Sequence, residues 1–243
     1  MNENFDAFDE YAMKYDMNIK EIAYKYNHSY RVVHQAEEIS RSIELDEEEK
    51  DLASLIALLH DIARFEQWKR YKSFSDTKEF DHGDEGVKIL FEDGMIDKFI
   101  AKKSDYDVIK SAMKYHNKFQ FPTSLSVRET LHSRIIRDAD KLDIIYAMST
   151  DKLISITDDD SEISEEVKEE FFSHNEIRKE ITKSKNDKIV LMLALMFDLN
   201  YDYSKHRVLD EEYLERILEN LNNKKMFKPF IDEGIKYLKG ELN

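Results

Sequence analysis

Two prolines and five glycines are all that punctuate 243 residues. A fold of many short strands would need more tight turns than so few glycines and prolines can make, so the chain is expected to be helical. Its apolar residues recur at helical spacing. Val32, Ala36, Ile39 and Ile43 share one face of a helix over about 18–43. Asp46 is a candidate N-cap, and Glu47, Glu48 and Glu49 follow in the first turn, where the helix dipole favours anions. Leu52, Leu55, Ile56, Leu59 and Ile62 then form an inward stripe. Residues 64–81 read as an irregular or short-helical connection. Further helices are expected from His82 to about Gly94, from Ser104 or Asp105 (as cap) through His116, and over about 126–149, with Pro122 breaking the chain between the last two.

Hydrophobic residues make up 41% and aromatics 12%, which excludes a disordered chain and allows a sizeable core. The expected architecture is all-α and a single domain over 1–243. A bundle over about 20–150 is followed by a C-terminal helical extension over about 160–243. The acidic stretch Asp158–Glu162 reads as a solvated loop between them. Zero cysteines exclude disulfides, thiolate metal sites and cysteine nucleophiles. No apolar run approaches the roughly 20 residues of a membrane span, and the N-terminus lacks the basic and apolar segments of a signal peptide. A cytoplasmic protein is expected. The formal net charge of −15 argues against nucleic acid or an anionic membrane as partner, while leaving room for a local cationic pocket.

Six residues carry the chemistry: His28, His60, Asp61, His82, His116 and Asp140. His28 lies on the face of Val32, Ala36 and Ile39. His116 follows Ile109 by seven residues and Met113 by three, and Asp140 stands four from both Ile136 and Ile144. Each therefore points inward from its own helix. His60 and Asp61 close the apolar stripe. Adjacent helical residues diverge by about 100°, which suits one terminal and one bridging ligand. Buried carboxylates cost several kcal/mol unless a cation compensates them. An all-imidazole and carboxylate donor set suits Mn, Fe, Zn, Ni or Co, with Mg also possible at an oxygen-rich site. Two divalent ions against two aspartates would leave a positive surplus that attracts phosphate and lowers the pKa of a bridging water.

The segments Asn27-His28-Ser29-Tyr30-Arg31-Val32, Leu58-Leu59-His60-Asp61-Ile62-Ala63 and Asp138-Ala139-Asp140-Lys141-Leu142-Asp143 resemble the HD-domain superfamily of metal-dependent phosphohydrolases over about residues 20–150. The resemblance implies that His28, His60, Asp61 and Asp140 ligate one metal. Asp81-His82-Gly83-Asp84-Glu85-Gly86 and Tyr115-His116-Asn117 resemble the extra histidines of binuclear members, which implies that Asp61 bridges to a second ion held by His82 and His116. The stretch from Arg64-Phe65-Glu66-Gln67 to Phe80-Asp81-His82 is similar to a bacterial subgroup of the superfamily, and that similarity implies no particular substrate. The Gly-Tyr-Pro signature of the cyclic dinucleotide phosphodiesterases is missing. No segment matches the ppGpp hydrolases or the nucleotide contacts of the dNTP triphosphohydrolases, and the C-terminal third matches no family pattern.

Around this set, Arg64 stands one turn after Asp61 and Lys141 follows Asp140. Each is a candidate to orient a phosphate in catalysis, or else an ion-paired residue. Residues 64–74 carry Arg64, Lys69, Arg70 and Lys72 against Glu66, interleaved with Phe65, Trp68, Tyr71 and Phe74. They form either a surface that stacks a base and meets phosphates, or a connection anchored by its aromatics. Glu85 is a candidate to orient a ligand, and Asp84 reads as a solvated helix start. His34, His132, His174 and His206 fit no ligand pattern. The expected function is hydrolysis of a phosphate ester or anhydride in a small phosphorylated substrate, above all a nucleotide, by metal-activated water. Three rivals use the same residues: a mononuclear phosphohydrolase without His82 and His116, a mixed-ligand di-iron oxygenase, and a noncatalytic nucleotide-sensing module. Nothing specifies the oligomeric state.

Overall fold

A computed structural model describes residues 2–150 and 157–241. The described residues form helices and connections with no strand, as the scarcity of glycine and proline implies. The helices are α1 (Asn2–Ala12), α2 (Lys20–Ser42), α3 (Glu47–Leu59), α4 (Ala63–Tyr71), α5 (His82–Phe91), α6 (Tyr106–Tyr115), α7 (Val127–Thr150), α8 (Glu165–Phe172), α9 (Lys185–Leu193), α10 (Asp202–Asp210), α11 (Tyr213–Asn220) and α12 (Lys224–Leu238). Short 3-10 turns follow α5, precede α6 and flank α9. The chain packs as two compact units, Met1–Asp140 and Lys141–Asn243, so the division falls inside α7. Among the described residues no helix is long and apolar enough to cross a membrane.

In the first unit α3 is the central helix, with α1, α2 and α6 packed against it. It starts as expected: the Asp46 carboxylate accepts from the Glu49 backbone N–H at 2.9 Å. The expected inward stripe is too narrow, however. All eight residues from Leu52 to Leu59 are buried, because α3 has neighbours on several sides. On α2 the buried face carries Ile22, Val32, Ala36 and Ile39, and His28 lies among them. Residues 64–81 divide into the nine-residue α4 and an irregular segment that begins at Lys72, whose φ of 51° ends the helix. α1 has no counterpart among the sequence-derived helices. It is held by aromatic rings, with Phe8 and Tyr11 each edge-on to Phe65 at 6.0 Å. Asp9 adds two bonds, accepting from the hydroxyls of Tyr26 and Tyr30.

The start of α6 departs from expectation. Asp105 occupies the cap position, yet its carboxylate accepts from Arg128 Nη1 at 2.7 Å and not from the helix. Arg128 also donates to Glu49, and Glu49 accepts from His132 Nε2 at 2.6 Å. His132 is 1% exposed and its Nδ1 is buried without a partner. Burial pushes its pKa down, only partly offset by Glu49. The folded state therefore holds His132 neutral at a pH where the unfolded chain protonates it. The associated stability is present above about pH 6.5 and is lost as pH falls below that, at up to about 1.4 kcal/mol per pH unit. His132→Gln keeps an N–H for Glu49 and does not titrate. Urea unfolding in chelator at pH 7.5 and 5.5 should show a shallower pH dependence for the variant, and equal slopes would refute this assignment.

The second unit is built on α12, which packs against α8, α9, α10 and α11. Ser184 and Asp187 form a capping box at α9. The buried Asp187 carboxylate also accepts from the backbone N–H groups of Ser164 and Lys183, each at 2.8 Å. The stretch 158–162 is more tightly held than a solvated loop. Asp158 accepts from the backbone of Asn222 and Asn223, and Asn186 donates to the carbonyls of Asp159 and Ser161.

Candidate metal centre

His60 terminates α3, and the chain then turns through residues 60–62 into α4. That turn sets His60 and Asp61 side by side, facing α2 and α5. His28 Nε2 lies 3.2 Å from His60 Nε2, 3.4 Å from Asp61 Oδ2 and 3.2 Å from Asp140 Oδ1. His60 Nε2 lies 3.5 Å from Asp61 Oδ2 and 3.7 Å from Asp140 Oδ1. Donors about 2.1 Å from a shared ion stand about 3.0–3.4 Å apart in octahedral or tetrahedral geometry, so His28, His60 and Asp61 could hold one cation, with the Asp140 carboxylate beside both imidazoles. The other Asp61 oxygen, Oδ1, lies 3.5 Å from His82 Nε2, and His82 Nε2 stands 2.9 Å from His116 Nε2. Asp61, His82 and His116 thus form a second group sharing the same carboxylate.

The imidazole tautomers leave both groups able to hold a cation. His60 Nδ1 donates to the Ala57 carbonyl at 2.7 Å, and His116 Nδ1 to the Met113 carbonyl at 2.6 Å. His82 Nδ1 donates to Asp76 Oδ2 at 2.7 Å. Each of these bonds leaves Nε2 as a bare lone pair directed at the cluster. Two such lone pairs, on His82 and His116, face each other at 2.9 Å with no proton between them. A divalent ion turns that repulsion into ligation. Burial lowers the pKa of both rings, and His116, which also faces His82 and His60, is pushed down to about 3. Burial raises the Asp61 pKa, but Lys25, His60, Arg64 and His28 outweigh it and hold Asp61 well below the usual carboxylate range. Asp140 is likewise held low, the burial that raises it outweighed by the His28 and His60 imidazoles that face its carboxylate.

Five of the six side chains are buried. Asp140 is the exception, with 19% of its side chain exposed. Two residues that the helical pattern did not single out belong here. Lys25 Nζ lies 2.6 Å from Asp61 Oδ2. Lys25 stands one turn before His28 on α2, and that spacing was its available signal. Asp76 comes from the irregular segment 72–81, where no periodicity marks it.

The remaining candidates fall elsewhere or differently. Arg64 donates through Nε to Asp61 Oδ1 at 3.3 Å and through Nη1 to Gln67, the Phe74 carbonyl and Asp76. Its Nη2 has no partner among the described residues. Lys141 is ion-paired with Glu176 and Asp198 of its own unit, two carboxylates to one ammonium. Glu85, a candidate to orient a ligand, lies 3.7 Å from both Arg70 and Lys88. The aromatics of 64–74 mainly anchor the segment. Phe65 is buried, Trp68 packs on Phe74, and Tyr71 packs on Phe80. Of its four basic residues Arg64 turns to the cluster, while Lys69 and Arg70 pair with Glu66.

The family model of the HD domain matches residues 26–145. No curated protein and no solved structure matches the chain. The matched segment contains all six clustered side chains and the whole of the turn that presents His60 and Asp61, so residues 26–145 of this chain are an HD domain.

Proposed function

We propose that this chain hydrolyses a phosphate ester or anhydride of a small phosphorylated substrate, a nucleotide in our reading, with two divalent ions bound. HD domains bind divalent metals, and most are metal-dependent hydrolases. The observation that carries the binuclear form is the division of Asp61, with Oδ2 facing His28 and His60 and Oδ1 facing His82. Bound there, divalent ions supply Lewis-acid polarisation of phosphoryl oxygens and a water acidic enough to ionise near neutral pH.

The protein's own groups do the rest. His28, His60 and Asp140 would hold one ion, His82 and His116 the other, and Asp61 both. Lys25 and Arg64 bring two positive charges to the same carboxylate and flank the Phe74 ring, Lys25 Nζ at 5.6 Å and the Arg64 guanidinium carbon at 5.9 Å from its centroid. Once an ion neutralises Asp61, the Lys25 ammonium and the open Nη2 of Arg64 are the groups that meet phosphoryl oxygens. Phe74 offers a face for a base. Lys141, held by two acids, has no part in this reading. A small substrate fits the net charge of −15, which opposes nucleic acid and anionic membranes alike.

The test begins with elemental analysis of protein purified without chelator or affinity nickel, followed by phosphate release from nucleoside mono-, di- and triphosphates with each candidate metal. About two ions per chain and metal-dependent release are expected. Lys25→Met should lower kcat/KM about 10- to 100-fold while metal content stays at the wild-type level. No release with any metal sinks the hydrolase reading. Oxygen uptake by an iron-loaded form would replace it with oxygenation, and nucleotide-induced thermal stabilisation without turnover would replace it with sensing.

A further inference from the structure

The three histidines whose Nδ1 bonds are described do not lean on the same kind of support. His60 and His116 each donate Nδ1–H to a carbonyl one turn earlier in their own helix, Ala57 and Met113. Those carbonyls are placed by the helix itself. His82 is the first residue of α5, so no preceding helical turn offers it a carbonyl. Its acceptor is Asp76, six residues upstream in a segment without regular structure.

Asp76 is itself held by a set of donors. Its Oδ1 accepts from Arg64 Nη1 at 3.2 Å, Gln67 Nε2 at 3.0 Å and the His82 backbone N–H at 3.3 Å. With Oδ1 engaged three times, Oδ2 is left directed at the imidazole. Arg64 Nη1 and Gln67 Nε2 also seat the backbone of the segment, bonding the carbonyls of Phe74 at 2.6 Å and Ser75 at 3.3 Å. Gln67 is fully buried, so this seat is part of the packed α4 face. Arg64 further reaches Asp61 Oδ1, the oxygen that faces His82.

We propose that Asp76 is a positioning residue for the second ion, and that the 72–81 segment controls occupancy of the His82–His116 half while the His28–His60–Asp140 half loads without it. The inference rests on the binuclear reading above. A carboxylate behind a ligating imidazole fixes its tautomer and raises its basicity, and its removal weakens metal affinity about 10- to 100-fold. That loss should fall on one ion of the two.

The experiment is a Mn2+ titration of the full-length protein followed by electron paramagnetic resonance, comparing wild type with Asp76→Ala. Wild type should bind two ions and show the spin-coupled signal of a pair. Asp76→Ala should bind the first ion with wild-type affinity and the second about 10- to 100-fold more weakly. The coupled signal should give way to that of isolated Mn2+. The metal-free melting temperature should fall by a few degrees at most, the cost of the hydrogen bonds that Asp76 accepts, while the first ion keeps its wild-type affinity, a selectivity that a merely structural role would not give. Two ions bound at wild-type affinity in Asp76→Ala would overturn the proposal. So would loss of both ions together with a lowered metal-free melting temperature. Fewer than two ions in wild type would remove the binuclear reading itself, and this inference with it.

Discussion

Asp61→Ala is expected to bind neither ion tightly and to lose metal-dependent phosphate release by about 10³-fold or more. Several kcal/mol of transition-state stabilisation by the metals correspond to that factor. Asp61 is the one side chain common to both donor groups, so its loss takes one ligand from each. It also stabilises the metal-free protein. Its carboxylate accepts from Lys25 Nζ and Arg64 Nε, and it is 2% exposed. Deleting it leaves two cations beside one cavity, a change that costs about 3 kcal/mol when a buried pair is broken. The two effects separate experimentally. Asp61→Asn preserves volume and removes charge, so it should fold with wild-type circular dichroism and still lose the metals. Metal content, melting temperature in chelator and phosphate release, measured on both variants, decide the matter. Normal turnover by either variant would refute the mechanism.

How far the sequence reaches is visible in which residues it marks. His28, His116 and Asp140 sit at positions where helical spacing turns them inward, and the fold brings them to one cluster with His60, Asp61 and His82. Helical periodicity is a local signal, so local reading finds such residues. Asp76 and Asp105 have no such signal. Asp76 acts from an irregular segment, and Asp105 exchanges its expected cap for Arg128, 23 residues away. Lys141 shows the converse. Its neighbour Asp140 faces the cluster, but one position further along α7 is about 100° around the helix, and there the ammonium meets Glu176 and Asp198. The missed helix α1 is a third kind. Its aromatic face is defined by Phe65, Tyr26 and Tyr30, which only tertiary packing brings near.

Gly83→Ala is expected to be costly where Gly86→Ala is not, although both glycines lie on α5. A Cβ on Gly83 would stand 2.8 Å from the Met113 carbonyl oxygen, 3.0 Å from Asn117 Oδ1 and 3.2 Å from the Lys114 carbonyl oxygen. Two of these are backbone atoms of α6, so the helices themselves must separate. The first contact is also the acceptor that orients His116 Nδ1. Separation therefore both strains the packing and swings His116 away from His82. Overpacking of this kind costs about 1–3 kcal/mol, against about 1 kcal/mol gained from replacing glycine by alanine in a helix. A Cβ on Gly86 would instead meet Met113 Cε at 3.0 Å, the far end of a flexible side chain, and Ile62 Cγ2 at 3.7 Å. There the helix-propensity gain offsets the small displacement. Gly83→Ala should lower the metal-free melting temperature by several degrees, about 2–4 °C per kcal/mol at this size, and weaken the second ion about tenfold or more. Gly86→Ala should match wild type in both measurements. Equal behaviour of the two variants would show that the close α5–α6 approach at Gly83 does not govern how His82 and His116 face each other.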